Sequence, residues 1–432
     1  MLPIIEALPL AGFVFWLISF PMNGFLMPEA WGNLLLYFTL SSAISYFLSP
    51  FFLKEKSFNT VSRSGSVLVA LLTVVSPLSQ VPGKVLLPVM GIASVLVMFR
   101  ALAALRASRT PVVSAALAIA LGNILVFALS HLHLPDIVKF VIIAASLFPA
   151  ILIRAGYAQE SNLKELKKYL VFIYVFYLVG GILYAYIIPQ YEKVAIFKGF
   201  ELFSYVFSAL AGIYFVRKGR DIALALGIIL GTLSFSFMLV GSPFFVTLSM
   251  FSSQAAFALV DLYVVFLLVA CGGSAKVTGL GFGTVCLAIT SGEAVSSHIG
   301  GAAAPMIAAG NIILVTSVLI FYFTVIRQRA VPSGAGAAYA GYLGNGISRG
   351  QLEGILENFY EPFQKKLSEK EKVVLFLVIR GKTYKEAATE LGISESTVKT
   401  HMKRICWKIG VNGKDGLMEK LSCPENTHNR AN

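Results

Sequence analysis

Charge is what this sequence has least of. Only 13% of its 432 residues are Asp, Glu, Lys or Arg, while 57% are hydrophobic, a balance too apolar for a soluble protein of that length. Cysteine is scarce too. The four that occur, Cys271, Cys286, Cys406 and Cys423, stand in no C-x-x-C or other metal spacing, and two lie inside apolar runs. That excludes a zinc site or a disulfide framework. The chain also lacks a phosphate-cradling glycine loop, a Gly-x-Ser-x-Gly elbow and a His-Glu-x-x-His pair, so no enzyme, metal or cofactor is expected. A basic leader is missing as well. Met1 to Ala7 carries Glu6 as its one charge, so the first apolar run reads as a permanent helix rather than a cleaved signal.

What fills the first three quarters of the chain is a succession of apolar stretches, each near the roughly 20 residues a helix needs to cross hydrocarbon. Twelve are expected, over 6–26, 32–53, 61–79, 84–100, 111–131, 136–153, 169–188, 195–216, 222–241, 249–271, 277–297 and 304–326. The split between the ninth and tenth is placed near Gly241, Ser242 and Pro243, because apolar residues continue from Asp221 to Cys271. Cations collect in the even-numbered loops, at Lys54, Lys56, Arg63, Arg100, Arg106, Arg109, Arg154, Lys164, Lys167, Lys168, Arg217, Lys218, Arg220 and Lys276, and after the last span at Arg327 and Arg329. Cytoplasmic loops are the ones that hold such residues. The expectation is a multi-pass protein of the cell (inner, cytoplasmic) membrane, in contact with lipid, with both termini in the cytoplasm.

Ionisable residues inside spans are costly and by default mark a ligand, ion or partner site. Asp261 and Glu293 are the candidates, against the plainer reading of a protonated acid hydrogen-bonded to a neighbouring helix. Glu201 is less informative, since Lys198 three residues earlier could satisfy it. Phe172, Tyr174, Phe176 and Tyr177 read as packing or interfacial aromatics, and the glycines of GGILYAY (180–186) as sites of close helix approach.

The composition changes at AVPSGAGAAYAGYLGNGISRG (330–350), which reads as a flexible linker between a transmembrane domain, 1–329, and a soluble cytoplasmic domain, 351–432. About 20 such residues span roughly 25 Å root-mean-square. Beyond the linker, Ser368 and Glu371 form an S-x-x-E capping box ahead of Val373, Val374, Leu375 and Leu377, the apolar content of a helix ending near Gly381. YKEAATEL (384–391) fits a short second helix stopped by Gly392, and Ser394 is placed to cap a third. In that third helix Val398, Met402, Ile405 and Ile409 make one buried stripe. Its other face carries Ser396, Lys399, Thr400, Lys403 and Arg404, with Lys399 and Lys403 one turn apart. Short helix, glycine turn and longer helix is the helix-turn-helix pattern, although a lysine-bearing face taken alone fits any solvated helix.

From Leu367 to Leu421 the chain resembles the LuxR-type helix-turn-helix family of bacterial transcription regulators. The resemblance rests on LSEKEKVVL, G-x-x-YKEAA-x-x-LGIS, STVKTH and KIGV. It implies that the third helix enters the major groove of promoter DNA with Lys399, Thr400 and Lys403 at base edges and Arg404 on the same face. It further implies that Ser396, Thr397 and Lys385 touch phosphate, and that Ala388, Leu391, Ile393, Val398, Ile405 and Ile409 hold the fold. A fourth helix, Asp415 to Leu421, would pair two copies as a homodimer on inverted half-sites. Trp407 departs from the family, which more often has a basic or polar residue there.

The membrane half resembles the major facilitator transporters in its six-plus-six plan around a basic central loop, RAGYAQESNLKELKK (154–168). That plan puts substrate between the halves. The signature loop between spans two and three survives only as SRSG (62–65), without its acidic residue. The fold class expected is therefore all-α: a polytopic bundle of about 12 spans with a C-terminal four-helix domain. Function divides into a one-component regulator whose membrane domain senses an unidentified small molecule or membrane signal, a transporter with a regulatory DNA-binding tail, and a membrane protein whose tail serves only protein contacts.

Overall fold

The computed structural model describes residues 3–22, 24–28, 31, 34–78, 81–159, 161–218, 220–299, 303–321, 367–379, 382–409, 411, 413 and 417. It divides into two compact units, Met1–Val325 and Ile326–Asn432. The linker proposed at 330–350 and the region 351–366 lie outside the described residues.

The first unit is built of helices. In chain order they are α1 (Pro3–Ser19), α2 (Leu35–Phe52), α3 (Glu55–Val75), α4 (Gly83–Arg106), α5 (Pro111–His131), α6 (Asp136–Ala145), α7 (Phe148–Leu152), α8 (Leu163–Val194), α9 (Glu201–Lys218), α10 (Arg220–Met238), α11 (Pro243–Ala270), α12 (Ala275–Ile299) and α13 (Ala303–Phe321). Each expected span has its helix. Five of them, α2, α3, α4, α5 and α11, are long and apolar enough to cross a membrane unaided, and α8 makes a sixth if its two limbs, bent by 40°, count as one span. Pro189, which cannot bond back to the carbonyl of Ala185, sits in the second limb. By contrast α1, at 17 residues, is apolar but shorter.

The outer surface explains why lipid is required. Phe51, Leu71, Leu78, Leu152, Phe207 and Ile312 are each more than half exposed, and a belt of that kind would be a liability in water. Helical backbone is the form such a surface must take, because lipid offers no partners for amide groups.

The sixth span differs from expectation. It is two helices, α6 and α7, broken around Ser146 and Leu147. Pro149 cannot donate to the carbonyl of Ala145, so the ladder stops there. The break also suits a close crossing, since the Ser146 hydroxyl donates to the Gly12 carbonyl of α1 at 3.0 Å. The ninth and tenth spans separate where Gly241 takes a left-handed φ of 71° and Pro243 starts α11, six residues before the expected start at 249.

Two groups of helices, α1–α7 and α8–α13, meet along α2 with α12 and along α5 with α9 and α11. Within the first group Arg100 overturns its placement as a loop cation. It is 1% exposed, because its guanidinium reaches the C-terminal end of α7. There it donates to the carbonyls of Ala150 at 2.5 Å, Ile151 at 3.3 Å and Ile153, and on the α3 side to Asn59 Oδ1 at 2.9 Å and Ser62 Oγ at 3.1 Å. A cation at a helix C-terminus complements the unpaired carbonyls and the dipole. Ser62 opens the SRSG stretch, which lies within α3 rather than in a loop, so Arg100 ties this turn of α3 to the end of α7. Arg100→Met should lower the detergent-solubilised protein's melting temperature, since each buried acceptor left without a donor costs about 1–3 kcal/mol. Arg100→Lys should recover little of it, because an ammonium cannot reproduce the fork. A melting curve unchanged by Arg100→Met would contradict this assignment.

The second unit contains α14 (Glu369–Ile379), α15 (Tyr384–Leu391) and α16 (Glu395–Ile409). Val374, Leu375, Val378, Ala387, Val398 and Ile405 form its core. The expected closing helix at 415–421 lies outside the described residues except for Leu417, which is buried in that core.

Candidate nucleic-acid interface and membrane cavity

Three caps set the geometry of the second unit. Ser368 and Glu371 form the expected box at the start of α14, with Ser368 N donating to Glu371 Oε2 at 2.8 Å and Glu371 N to Ser368 Oγ at 3.3 Å. A second box, unnoticed in the sequence although T-x-x-E is legible at 383–386, closes α15 through Thr383 and Glu386. Its hydrogen bonds from the Thr383 backbone and hydroxyl hold the Glu386 carboxyl below its ordinary value. Gly392 then turns the chain at φ 63°, and Ser394 Oγ accepts from Thr397 N at 3.1 Å to start α16. A residue with a Cβ would resist that left-handed turn.

Helix α16 presents two faces. Val398, Met402 and Ile405 are buried as expected, and Cys406 joins them, its thiol pushed up by burial. The side chain of Ile409, expected in the same stripe, lies outside the described residues. Ser396, Thr397, Lys399, Thr400, Lys403 and Arg404 are all exposed, as is Lys385 on α15. The Thr400 hydroxyl donates back to the Ser396 carbonyl at 2.9 Å, which commits its polar atom to the helix. Lys399 Nζ pairs with Glu395 at 2.8 Å, and that hydrogen bond raises the lysine's pKa and lowers the glutamate's. Ile393, expected to hold the fold, is 37% exposed, because it follows the Gly392 turn rather than facing the core. Trp407 is 70% exposed.

One buried pair was missed by the sequence reading. Glu371 is 3% exposed, and its Oε2 accepts from Lys408 Nζ at 2.6 Å as well as from Ser368 N. Burial alone would raise this carboxyl, but the hydrogen bonds from Lys408 and Ser368 outweigh it and hold it below the ordinary glutamate value. A depressed folded pKa stabilises above the unfolded value, about 4.3, and the stabilisation is lost as pH falls through the folded one. Glu371→Gln should therefore weaken hydrogen-exchange protection of α14 and α16 in the full chain near neutral pH, by about 1–3 kcal/mol. The difference from wild type should shrink below about pH 4. A difference that persisted unchanged at acid pH would rule out the ion pair as its source.

In the first unit a cavity of about 260 Å³ lies between the two helix groups. Asp261 of α11 is the single carboxylate among the residues lining it, and no Lys, Arg or His joins it there. Tyr177 of α8 donates its hydroxyl to one oxygen of Asp261 and Tyr205 of α9 to the other. Tyr177 is thus more than the packing aromatic expected, whereas Tyr174 donates to Ser291 Oγ at 3.1 Å. Glu293 does not reach the cavity lining; it is buried on α12 where that helix crosses α8. Glu201 opens α9 at its first residue and accepts from Tyr191 Oη at 2.7 Å, so the expected partner Lys198 is replaced by a tyrosine. Of the three candidate acids, only Asp261 faces the cavity.

These features define a helix-turn-helix DNA-binding domain carried on the same chain as a transporter-type membrane bundle. Residues 365–421 match the bacterial regulatory proteins of the luxR family, and the chain belongs to that family. The spore germination protein GerE of Bacillus subtilis (strain 168) is 41% identical over 61 residues, which cover 14% of this chain and 82% of GerE. The membrane bundle has the fold of solved transporters. The human organic anion transporter MFSD10 superposes with a TM-score of 0.57 at 14% identity, covering 74% of this chain and 98% of its own. A bacterial homologue of the iron transporter ferroportin, in its outward-facing state, gives 0.52 at 11% identity over the same shares. The major facilitator superfamily transporter FucP in the outward conformation, at 12% identity, gives 0.54, again over 74% of this chain and 98% of its own. Identities this low establish the fold and carry no substrate. The protein is thus a DNA-binding regulator with a membrane domain.

Proposed function

We propose that the protein is a membrane-anchored one-component transcription regulator: a ligand or membrane signal acts on the helix bundle, and the C-terminal domain binds promoter DNA as a homodimer. The observation that carries this is one chain holding both an exposed basic face on α16 and a membrane-domain cavity lined by a single carboxylate. Lys399, Thr400 and Lys403, with Arg404, are the proposed base readers, since lysine suits guanine acceptors and a threonine methyl suits thymine. Ser396, Thr397 and Lys385 are the proposed phosphate contacts. We place the protein in the inner membrane with both termini in the cytoplasm, on the strength of the loop cations, and take 330–350 as the tether. A tether that loose favours control through pairing or effective concentration over a rigid push.

Crosslinking the full-length protein to DNA in intact bacteria, with sequencing of what is recovered, tests this. Discrete promoter sites are the expected result, and recovery no better than from a strain lacking the gene would end the proposal. A second reading, a transporter with a regulatory tail, is favoured by the cavity between the two helix groups. Uptake into vesicles that disappears with Asp261→Asn would select it, whereas binding without flux selects the sensor.

A further inference from the structure

The central cavity is lined mostly by apolar and aromatic side chains with a few uncharged polar ones, and among the described residues that line it the one charged group is the Asp261 carboxylate. Gln254, Phe257 and Asp261 follow at i, i+3 and i+7 on α11, so they share the face that lines the cavity. The Phe257 ring lies 6.1 Å from that of Tyr177, and Tyr205 donates to the Asp261 oxygen that Tyr177 does not use. Two phenol hydroxyls thus hold the carboxylate, and a third aromatic ring, Phe257, stands beside that of Tyr177 in the same lining.

We infer that this cavity binds a small organic monoamine, a protonated primary amine on a single ring or short apolar chain. Asp261 supplies the counter-charge, the faces of Tyr177, Tyr205 and Phe257 attract a cation through their quadrupoles, and the rest of the lining takes the apolar frame. A carboxylate ligand is excluded by like charge, as no cation lines the cavity to receive it. A hard metal ion fits poorly. Both oxygens of Asp261 already accept a phenol, and the six to eight oxygen ligands a calcium ion takes are not assembled: no group of three or more metal-ligating side chains occurs among the described residues. Size limits the frame as well, since about 260 Å³ lies just under the usual range for small-molecule pockets of roughly 300–1,000 Å³.

The inference deepens the sensor reading, and rests on it only for what binding does at the promoter. The test uses the full-length protein in lipid nanodiscs, titrated calorimetrically with 2-phenylethylamine and hexylamine beside the uncharged 2-phenylethanol and the anionic 3-phenylpropionate. The amines are expected to bind and the anion not. Asp261→Asn, close to isosteric, should weaken amine binding on the order of tenfold to a hundredfold while leaving 2-phenylethanol unaffected. Tyr205→Phe keeps the charge and should weaken it less, and melting curves without probe check that both variants are folded. Equal affinity for amine and alcohol, or no amine binding by the folded wild type, overturns the inference. Promoter occupancy measured with and without 2-phenylethylamine separates the two claims. Amine binding that leaves occupancy unchanged sinks the sensor reading and keeps the ligand class. Occupancy that answers to other compounds while the amines fail to bind does the reverse.

Discussion

Combining Lys399→Ala with Lys403→Ala is expected to remove the protein from its promoter sites while leaving it folded and in the membrane. Both side chains are exposed on α16, one turn apart, and a good base contact is worth about 1–3 kcal/mol of discrimination. Losing two should lower specific affinity on the order of a hundredfold. Stability should hardly change, because the one ion pair given up, between Lys399 and Glu395, is solvent-exposed, and such pairs contribute little. Lys385→Ala is the informative contrast. As a phosphate contact it should weaken all sites about equally and reduce the salt slope by about one. Gel-shift titrations at several salt concentrations, with hydrogen exchange of α14 to α16 as the folding control, distinguish the two effects. Full promoter binding by the double variant would mean that Lys399 and Lys403 do not read the promoter.

Gly181→Leu is expected to prevent recovery of a folded membrane domain. A Cβ at Gly181 of α8 would stand 2.7 Å from the Glu293 backbone nitrogen and 2.9 Å from the Gly292 Cα of α12, and closer still to the Ile289 carbonyl. These are backbone atoms on a facing helix, so no side-chain rotation can clear them. Overpacking of a core that can adjust costs about 1–3 kcal/mol; here the helices must separate, and the cost should exceed that range. Close approach at small residues is how helices associate in lipid, where no hydrophobic force draws them together. Gly231→Ala is the control, because its added carbon would meet only side-chain atoms, those of Leu314 from 3.3 Å and the Ala256 Cβ at 4.0 Å. Monodisperse yield in detergent and thermal melting report both. A stable Gly181→Leu protein would mean that α8 and α12 do not touch as described.

Local signals were legible in the sequence wherever one residue type has one physical use. Gly392 had to turn, Ser368 and Ser394 had to cap, and apolar runs of span length had to be helices, because each solves a problem within a few residues. What could not be read depends on distant partners. Arg100 counts as a loop cation until α7 brings its carbonyls to it, Glu371 as a capping acid alone until Lys408 arrives from 37 positions away, and Tyr177 as packing until α11 places Asp261 beside its hydroxyl. The candidate acids show the same limit. Asp261 and Glu293 look equivalent as charges within spans, and only the crossing of α8 with α12 sends one to the cavity and the other into a helix contact. The break in the sixth span was expected nowhere in 136–153; Pro149 is its local cause, and its position against Gly12 depends on packing.

Glu371 also has a mechanical consequence. One carboxylate oxygen closes the first turn of α14 and grips Lys408 near the last turn of α16. Tilting α16 would stretch the Lys408 bond, and yielding at Glu371 would loosen the start of α14. The three-helix block therefore behaves as a stiff part whose α16 angle is set within the block itself. Under the proposed function, a signal acting on this block would therefore work by changing its location or pairing rather than the angle of α16.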